Sequence, residues 1–155
     1  MTHLNASLRL GALFTLGFLL GGCETLEERV RTTREVPVVT REFNGSADAV
    51  MAAAKEAFAV MGYSITSISA AHGTIEAISD IRRDPGMRNF RQTRIRFSVV
   101  DRDGGFAFAT MQAWEIREEE NTRGERLMSE TGVSSHSFHH MVYGTIEDSM
   151  GAQTK

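Results

Sequence analysis

Apolar residues between Val50 and Met61 recur every three or four positions, the spacing of one face of an α-helix. Ser46 or Asp48 is placed to cap the first turn by accepting a hydrogen bond from a free backbone amide. Gly62 follows as a left-handed stop. The stripe is rich in alanine, so we expect this helix to lie close to a sheet. Its members are Val50, Ala53, Ala54, Ala57, Phe58 and Met61.

A second stripe with the same spacing predicts a C-terminal helix that begins after a cap at Ser135 or Ser137. We expect the tail, residues 151–155, to fray. The stripe consists of Phe138, Met141, Val142, Thr145, Ile146 and Met150.

Shorter apolar segments, separated by Asn, Asp and Gly, predict the strands. The resulting order, β-α-β-β-β-β-α, is typical of an α+β two-layer domain. We therefore expect residues 36–150 to form one domain, an antiparallel sheet of four to five strands with two helices packed on one face. The candidate strand segments, one or two more than the expected sheet contains, cover 36–43, 63–69, 74–81, the segment around 94–99, 106–116 and 127–133.

Alternation in the fourth of these strands places Phe97 and Val99 on one face and the arginines of the segment on the other. A four-residue turn after it would set Val99 opposite Phe106 and Phe97 opposite Phe108. This register buries large apolar side chains together, which stabilises a sheet. We therefore expect four aromatic residues in the core: Phe97, Phe106, Phe108 and Trp114.

The N-terminal segment has one positive charge, Arg9, before an apolar run that ends at Leu20. The run is shorter than the ~20 residues that a membrane span requires, and its layout is that of a secretory signal. The run closes on Leu20-Gly21-Gly22-Cys23, which resembles the lipobox of bacterial lipoprotein precursors. A plain secretory signal and a buried apolar helix are the alternatives.

The lipobox resemblance implies that residues 1–22 are a signal peptide. It also implies that Cys23 carries a diacylglyceryl group and, once it is the first residue, an acyl chain such as palmitate on its amine. More than one chain anchors a protein firmly. Residues 23–35 are polar and read as a tether. Because Glu24 follows the cysteine, where Asp would signal inner-membrane retention, we expect the periplasmic face of the outer membrane.

The mature domain resembles small periplasmic lipoprotein domains of the helix-grip type, such as that of the lipoprotein C subunit of the β-barrel assembly machinery. The resemblance lies in the order of Phe43, Ser46–Val50, a helix, Gly62-Tyr63 and a strand that reaches Gly73-Thr74-Ile75. It is a resemblance in element order and assigns no functional residue.

Charge narrows the classes of partner. Removing residues 1–22 takes away one arginine and no acid, which changes the net charge from −3 to about −4. A chain that binds nucleic acid would carry a basic excess, so we expect no nucleic-acid partner. Cys23 is the only cysteine, so we expect no disulfide within the domain.

Seven arginines between Arg82 and Arg102 form the most concentrated charge in the chain. Guanidinium groups bind carboxylates and phosphates in a planar, bidentate manner. The candidate site for an anionic partner therefore consists of Arg88, Arg91, Arg94 and Arg96. The alternative is internal pairing with the acidic stretch Glu115, Glu118, Glu119, Glu120 and Glu125.

His136 and His140 share a helical face, with Glu130 as a conceivable third metal ligand and His139 beside them. A zinc site needs three or four ligands in tetrahedral geometry, and the His-Glu-x-x-His pattern is lacking, so we interpret these histidines as exposed polar residues. We predict no metal and no cofactor. Without a Gly-x-Ser-x-Gly elbow or a free thiol, we expect no enzyme.

Two functions remain. The first is a non-catalytic scaffold or assembly factor at the envelope that acts through protein contacts. The second is a binding module for an anionic lipid, lipopolysaccharide or cell-wall ligand. A flat, charge-compensated surface would favour the first, and a concave apolar pocket with arginines at its mouth would favour the second.

Overall fold

The computed structural model describes residues 31–32, 36–83, 89–121 and 123–153. They form eight strands and two helices. The strands are β1 (Arg31–Thr32), β2 (Val39–Asn44), β3 (Tyr63–Ser69), β4 (Thr74–Ser79), β5 (Arg82–Arg83), β6 (Phe90–Arg102), β7 (Phe106–Glu120) and β8 (Arg126–Gly132). The helices are α1 (Ala47–Val60) and α2 (His136–Gln153), and a 3-10 turn covers Ala70–His72.

The sheet is built around the long hairpin of β6 and β7. Along one edge of the hairpin β6 pairs with β4, which pairs with β3, and β5 extends the same edge. Along the other edge β7 pairs first with β2 and further on with β8. These seven strands are antiparallel, and the two-residue β1 pairs parallel with β8.

The predicted α+β class is confirmed, with more strands than the four to five expected. Two of the additional strands, β1 and β5, have two residues each. β1 lies within the predicted polar tether, residues 23–35, so Arg31 and Thr32 belong to the sheet edge. β5 lies between two predicted strands, 74–81 and the segment around 94–99, where no strand was predicted. Strands this short carry too little periodicity to be detected from sequence.

Helix α1 has the predicted ends. The Ser46 hydroxyl accepts a hydrogen bond from the Ala49 amide at 3.3 Å, and Gly62 has a φ of +77°. A second cap was not predicted: the Asp101 carboxylate accepts a hydrogen bond from the Ala47 amide at 2.6 Å. This bond ties the start of α1 to the end of β6.

The core lies between the helices and one face of the sheet. Strands β6 and β7 contribute alternate residues to it, and Phe58 of α1 meets Phe97 edge-on at a ring distance of 6.0 Å. Buried alanines occur on both α1 and β7, and α1 packs against α2 as well as against the sheet. The buried residues of β6 and β7 are Ile95, Phe97, Val99, Ala107, Ala109, Met111 and Ala113.

The predicted register of the β6–β7 hairpin is wrong. Val99 lies opposite Ala109 and Phe97 opposite Met111, and Arg102 pairs with Phe106 across a three-residue turn. This pairing differs from the expected one by three positions. Because side chains alternate between faces, an odd shift moves every residue of β7 to the other face. Of the four aromatic residues expected in the core, only Phe97 is buried.

The predicted stripe of α2 is confirmed in part: Val142 and Ile146 are buried and Phe138 and Met150 pack against the core, but the buried face is shifted toward His139 and Tyr143. The buried residues of α2 are His139, Val142, Tyr143 and Ile146, whereas Met141 is half exposed. The Tyr143 hydroxyl donates a hydrogen bond to the Val39 carbonyl at 2.7 Å, and burial raises the pKa of this phenol above its ordinary value of 10.0. The helix continues to Gln153, so residues 151–153 are helical rather than frayed.

Gly73 ends the 3-10 turn at a point where no side chain fits. Its φ is +57°, and a Cβ there would lie 2.2 Å from the Val99 carbonyl oxygen. The Gly73 carbonyl accepts a hydrogen bond from the Val99 amide at 2.8 Å. The close approach holds the β3–β4 hairpin against β6, and only glycine combines this φ with this contact.

One end of the hairpin extends beyond the helices. We call this region the arm: residues 90–93 of β6, 115–120 of β7 and 126–130 of β8. None of its residues is buried, in contrast to Met111 and Ala113 further along β7. The turn between β7 and β8 forms the tip of the arm. The β6–β7 turn, at Gly104 and Gly105, lies at the opposite end of the sheet.

Candidate functional site

The face of the sheet opposite the helices carries large apolar and charged side chains together. We call it the open face. None of its side chains in β4, β6 and β7 is buried. The open-face residues of β6 are Phe90, Gln92, Arg94, Arg96, Ser98, Val100 and Arg102, and those of β7 are Phe106, Phe108, Thr110, Gln112, Trp114, Ile116 and Glu118.

Trp114 is the centre of a charged cluster on the open face. The guanidinium of Arg94 lies over its ring at 4.9 Å and that of Arg96 at 5.8 Å from the ring centre. Arg94 forms an ion pair with Glu130 at 3.0 Å, and Arg96 forms one with Glu76 at 2.8 Å. The cluster joins β4, β6, β7 and β8, and each positive charge in it has both an aromatic ring and a carboxylate as partner.

The part of the open face nearest the β6–β7 turn is more apolar. Arg102 stacks on Phe108 with its guanidinium carbon 4.2 Å from the ring centre. Val100 is 60% exposed and Phe106 is 37% exposed. The hydroxyls of Ser98 and Thr110 share a hydrogen bond of 2.6 Å. Aromatic residues and arginine of this kind are enriched where proteins bind other proteins.

The structure does not assemble the predicted arginine patch as one surface. Arg94 and Arg96 lie on the open face, but Arg91 points to the other face, because odd and even residues of a strand alternate. Arg88 lies outside the described residues. Internal pairing does occur, with Glu130 and Glu76 as partners. Among the acids that we considered as partners, Glu115 pairs with Arg117, Glu118 with Arg126, and Glu125 accepts a hydrogen bond from Asn121.

The histidines occupy different environments. The rings of His136 and His140 are 6.2 Å apart on an exposed part of α2. His139, expected to be exposed, is buried, and its Nδ1 lies 2.7 Å from the Ser135 carbonyl oxygen. Its Nε2 has no hydrogen-bond partner among the described residues. Glu130 is engaged by Arg94. The described residues contain no group of three or more His, Cys, Asp or Glu side chains placed to hold a metal ion.

A small cleft lies on the open face of the arm. We call it the arm cleft, and its volume is about 270 Å³. Arg126 and Glu118 form an ion pair of 3.2 Å at its side, and Arg83 stacks on Phe90 at 5.0 Å. The cleft is lined by Ile81, Phe90, Arg91, Gln92, Ile116, Glu118, Arg126 and Met128.

Cys23, the predicted lipidation site, lies outside the described residues, as does the rest of residues 1–30. Within the described part of the chain, no helix is both long and apolar enough to cross a membrane.

No protein-family model matches this chain, and no curated protein matches it. Among solved structures, the chain is similar to a DUF4468 family protein from Bacteroides ovatus ATCC 8483, with a TM-score of 0.33 and 12% sequence identity. The similarity covers 61% of this chain and 63% of that one, so this chain spans less than two thirds of that protein. A similarity at this level indicates no shared function.

The aromatic character of the open face was not predicted. Phe106, Phe108 and Trp114 were expected in the core because they are the largest apolar residues of β7. A signal was available in Ala107, Ala109 and Ala113, which form a small-residue stripe on the other face of that strand. Such a stripe matches the alanine-rich face of α1, from which a close helix–sheet contact was already expected.

Proposed function

We propose that this protein is a lipid-anchored envelope protein without catalytic activity, which binds a protein partner through the open face. The lipobox-like Leu20-Gly21-Gly22-Cys23 supports anchoring through Cys23. The proposed location is the periplasmic face of the outer membrane, which the glutamate after the cysteine favours.

The observation that carries the proposed partner binding is the exposure of aromatic and branched side chains on a sheet face. Val100 and Phe106 are exposed near the β6–β7 turn, and Trp114 is only half-buried beneath two arginines. Aromatic residues and arginine dominate the binding energy of protein interfaces, because they bury large areas at a low cost in conformational entropy.

The anionic-ligand alternative has less support. Arg94 and Arg96 already have carboxylate partners, and an added anion would have to displace Glu130 or Glu76. Arg91 lies on the other face of the sheet. The part of the open face around Trp114 is thus charge-compensated, which favours a protein partner over a free anion.

Site-specific photocrosslinking in native membranes tests the proposal. A benzophenone amino acid is introduced at Phe106 on the open face and, as the control, at Met141 on the exposed side of α2. We expect a discrete crosslinked product from position 106 and none from position 141. Equal products from both positions, or none from position 106, would contradict the proposal.

Anchoring is tested separately by the intact mass of the membrane-extracted protein. The expected mass is that of residues 23–155 with a diacylglyceryl group and an acyl chain. A Cys23→Ser variant should be unprocessed or released from the membrane. A mass equal to that of unmodified Met1–Lys155 would refute lipidation.

A further inference from the structure

The direction of β1 relates the lipid anchor to the arm. β1 is parallel to β8, with Arg31 opposite Ser129 and Thr32 opposite Glu130. Because β8 runs away from the tip of the arm, β1 does so too, and its N-terminal end faces the tip. Cys23 precedes Arg31 by eight residues, which limits the distance between their Cα atoms to about 28 Å. The chain therefore enters β1 from the tip side, and the tip lies within reach of a lipid on Cys23.

The arm cleft offers apolar surface near this tip. Its apolar lining comes from Phe90, Ile116, Met128 and Ile81, and the Ile81 side chain is 59% exposed. Leu127, also in the arm, is exposed to the same fraction. Isoleucine and leucine side chains with this exposure remove apolar area from water when they enter a lipid interface, which is favourable.

The charges around the cleft are compatible with an apolar occupant. Arg126 and Glu118 form an ion pair at its side, Arg83 lies against Phe90, and Arg91 also lines the cleft. A free anion would meet the Glu118 carboxylate there. Arginine can keep its guanidinium among lipid headgroups while its methylene stem lies along apolar surface. The cleft is thus suited to the boundary between headgroups and acyl chains.

We infer that the tip of the arm inserts into the surface of the bilayer that holds the Cys23 lipid, with acyl-chain carbons occupying the arm cleft. The inference rests on the lipid anchoring in the proposed function. It gives the domain an orientation. Val100 lies ten residues from Phe90 along β6, about 33 Å, so the apolar end of the open face projects away from the membrane toward a partner.

Fluorescent labelling of introduced cysteines tests this orientation. Cys23 is the only cysteine in the chain, and its thiol is blocked in the lipidated protein, so one added cysteine is labelled uniquely. The variants are Ile81→Cys and Val100→Cys, whose side chains are 59% and 60% exposed. Each lipidated protein, carrying an environment-sensitive dye, is reconstituted into vesicles of phosphatidylethanolamine and phosphatidylglycerol with nitroxide-bearing acyl chains.

We expect the dye at position 81 to shift to shorter wavelength, and to be quenched at least about twofold more strongly than the dye at position 100, since interfacial insertion reaches ~5–10 Å into the bilayer. Equal quenching at the two positions, or no quenching at position 81, would overturn the inference. Because only purified protein and lipid are present, a protein partner cannot produce the signal.

A second variant distinguishes quenching by acyl chains in the arm cleft from quenching that arises only because the arm lies near the membrane. Ile116→Glu, added to the Ile81→Cys protein, places a charge in the cleft and should abolish the extra quenching. Val60→Glu, at an exposed position in the last turn of α1, is the matched control and should leave it unchanged. If Ile116→Glu leaves the quenching intact, acyl chains do not occupy the cleft. An intact mass taken before reconstitution shows whether anchoring itself has failed.

Discussion

The two faces of the β6–β7 hairpin come from alternate residues of the same strands, yet they differ in the size of their side chains. The helix-covered face of β7 presents Ala107, Ala109, Met111 and Ala113, all buried. The open face of the same strand presents Phe106, Phe108 and Trp114, none of them buried. The larger apolar residues therefore lie on the side of the strand where no helix packs.

Helix packing accounts for the small residues. Ala53, Ala54 and Ala57 of α1 are buried, and α1 packs against α2 as well as against strands of the sheet, so small side chains on α1 and β7 leave room for the helices. Phenylalanine at the positions of these β7 alanines would overfill the interface. The aromatic residues on the open face have no comparable role in the core. Because they are exposed, we assign the open face to partner binding and the helix-covered face to the core. The following predictions test this difference between the two faces.

The largest contrast should come from removing one phenylalanine from each face. Phe97→Ala deletes a fully buried ring that contacts Phe58 and Tyr143, and should lower the free energy of unfolding by about 3–5 kcal/mol. Phe108→Ala deletes a half-buried ring and its stacking with Arg102, and should cost about 1–2 kcal/mol. Urea denaturation midpoints measure both. Equal costs would show that the open face belongs to the core.

Enlarging a side chain should also destabilise the protein more on the helix-covered face than on the open face. Ala109→Leu forces extra carbons between β7 and the helices and should destabilise by about 1–3 kcal/mol. Val100→Leu adds a single carbon at an exposed position of the open face, and its effect should stay within about 0.5 kcal/mol. Thermal melts of the two variants test this. A large loss from Val100→Leu would mean that the open face is already covered.

The hairpin register shows where sequence reasoning succeeded and where it failed. Period-two alternation placed Phe97 and Arg96 on opposite faces, and α1 has the predicted cap at Ser46 because both signals are local. The pairing of β6 with β7 depends on the turn length, and both faces of β7 are apolar. Hydrophobicity alone therefore favoured the aromatic face as the core. The competing requirement, close approach of α1, depends on a contact between distant parts of the chain.

The Tyr143 hydroxyl links the helix layer to the sheet and gives a smaller, pH-dependent effect. Tyr143→Phe removes its hydrogen bond to the Val39 carbonyl and should cost about 1 kcal/mol at neutral pH. Burial raises the pKa of Tyr143 above 10.0, so its contribution is complete below pH 10 and is lost as the pH rises through the folded-state pKa.

Stability should therefore fall less steeply above pH 10 in the Tyr143→Phe variant than in the wild type. Burial also raises the pKa of Tyr63. Because Tyr63 is present in both proteins, it contributes equally to the pH dependence of their stability. Denaturant melts at several alkaline pH values measure the slope. Identical slopes would show that the Tyr143 environment does not favour the neutral phenol.

The smallest effect is expected from the charged cluster around Trp114. Arg94→Gln with Arg96→Gln removes two ion pairs that are partly exposed, and such pairs contribute about 0–1 kcal/mol each. The loss should shrink in high salt, because exposed charges are screened. Melting temperatures at low and high salt test this. A loss above about 3 kcal/mol would identify the cluster as a structural element rather than part of a surface.

The candidate site was predicted only in part. Sequence identified Arg94 and Arg96 as outward-facing residues of one strand, and they are. Their partners Glu76 and Glu130 are distant in sequence and come together only through the strand order β4-β6-β7-β8. His139 was missed for a similar reason: which stripe of α2 faces the core depends on where the helix crosses the sheet.

The assignment of the open face to partner binding is tested most directly by one matched pair of charge substitutions. Val100→Glu lies on the open face and Val60→Glu at the end of α1, and both replaced side chains are well exposed, 60% and 79%. Each lipidated variant is purified from native membranes under mild detergent, and the amount of co-purifying protein per copy is measured. We expect Val100→Glu to lose the partner and Val60→Glu to retain it, with melting temperatures unchanged. Retention of the partner by the Val100→Glu variant would contradict the assignment of the open face to partner binding.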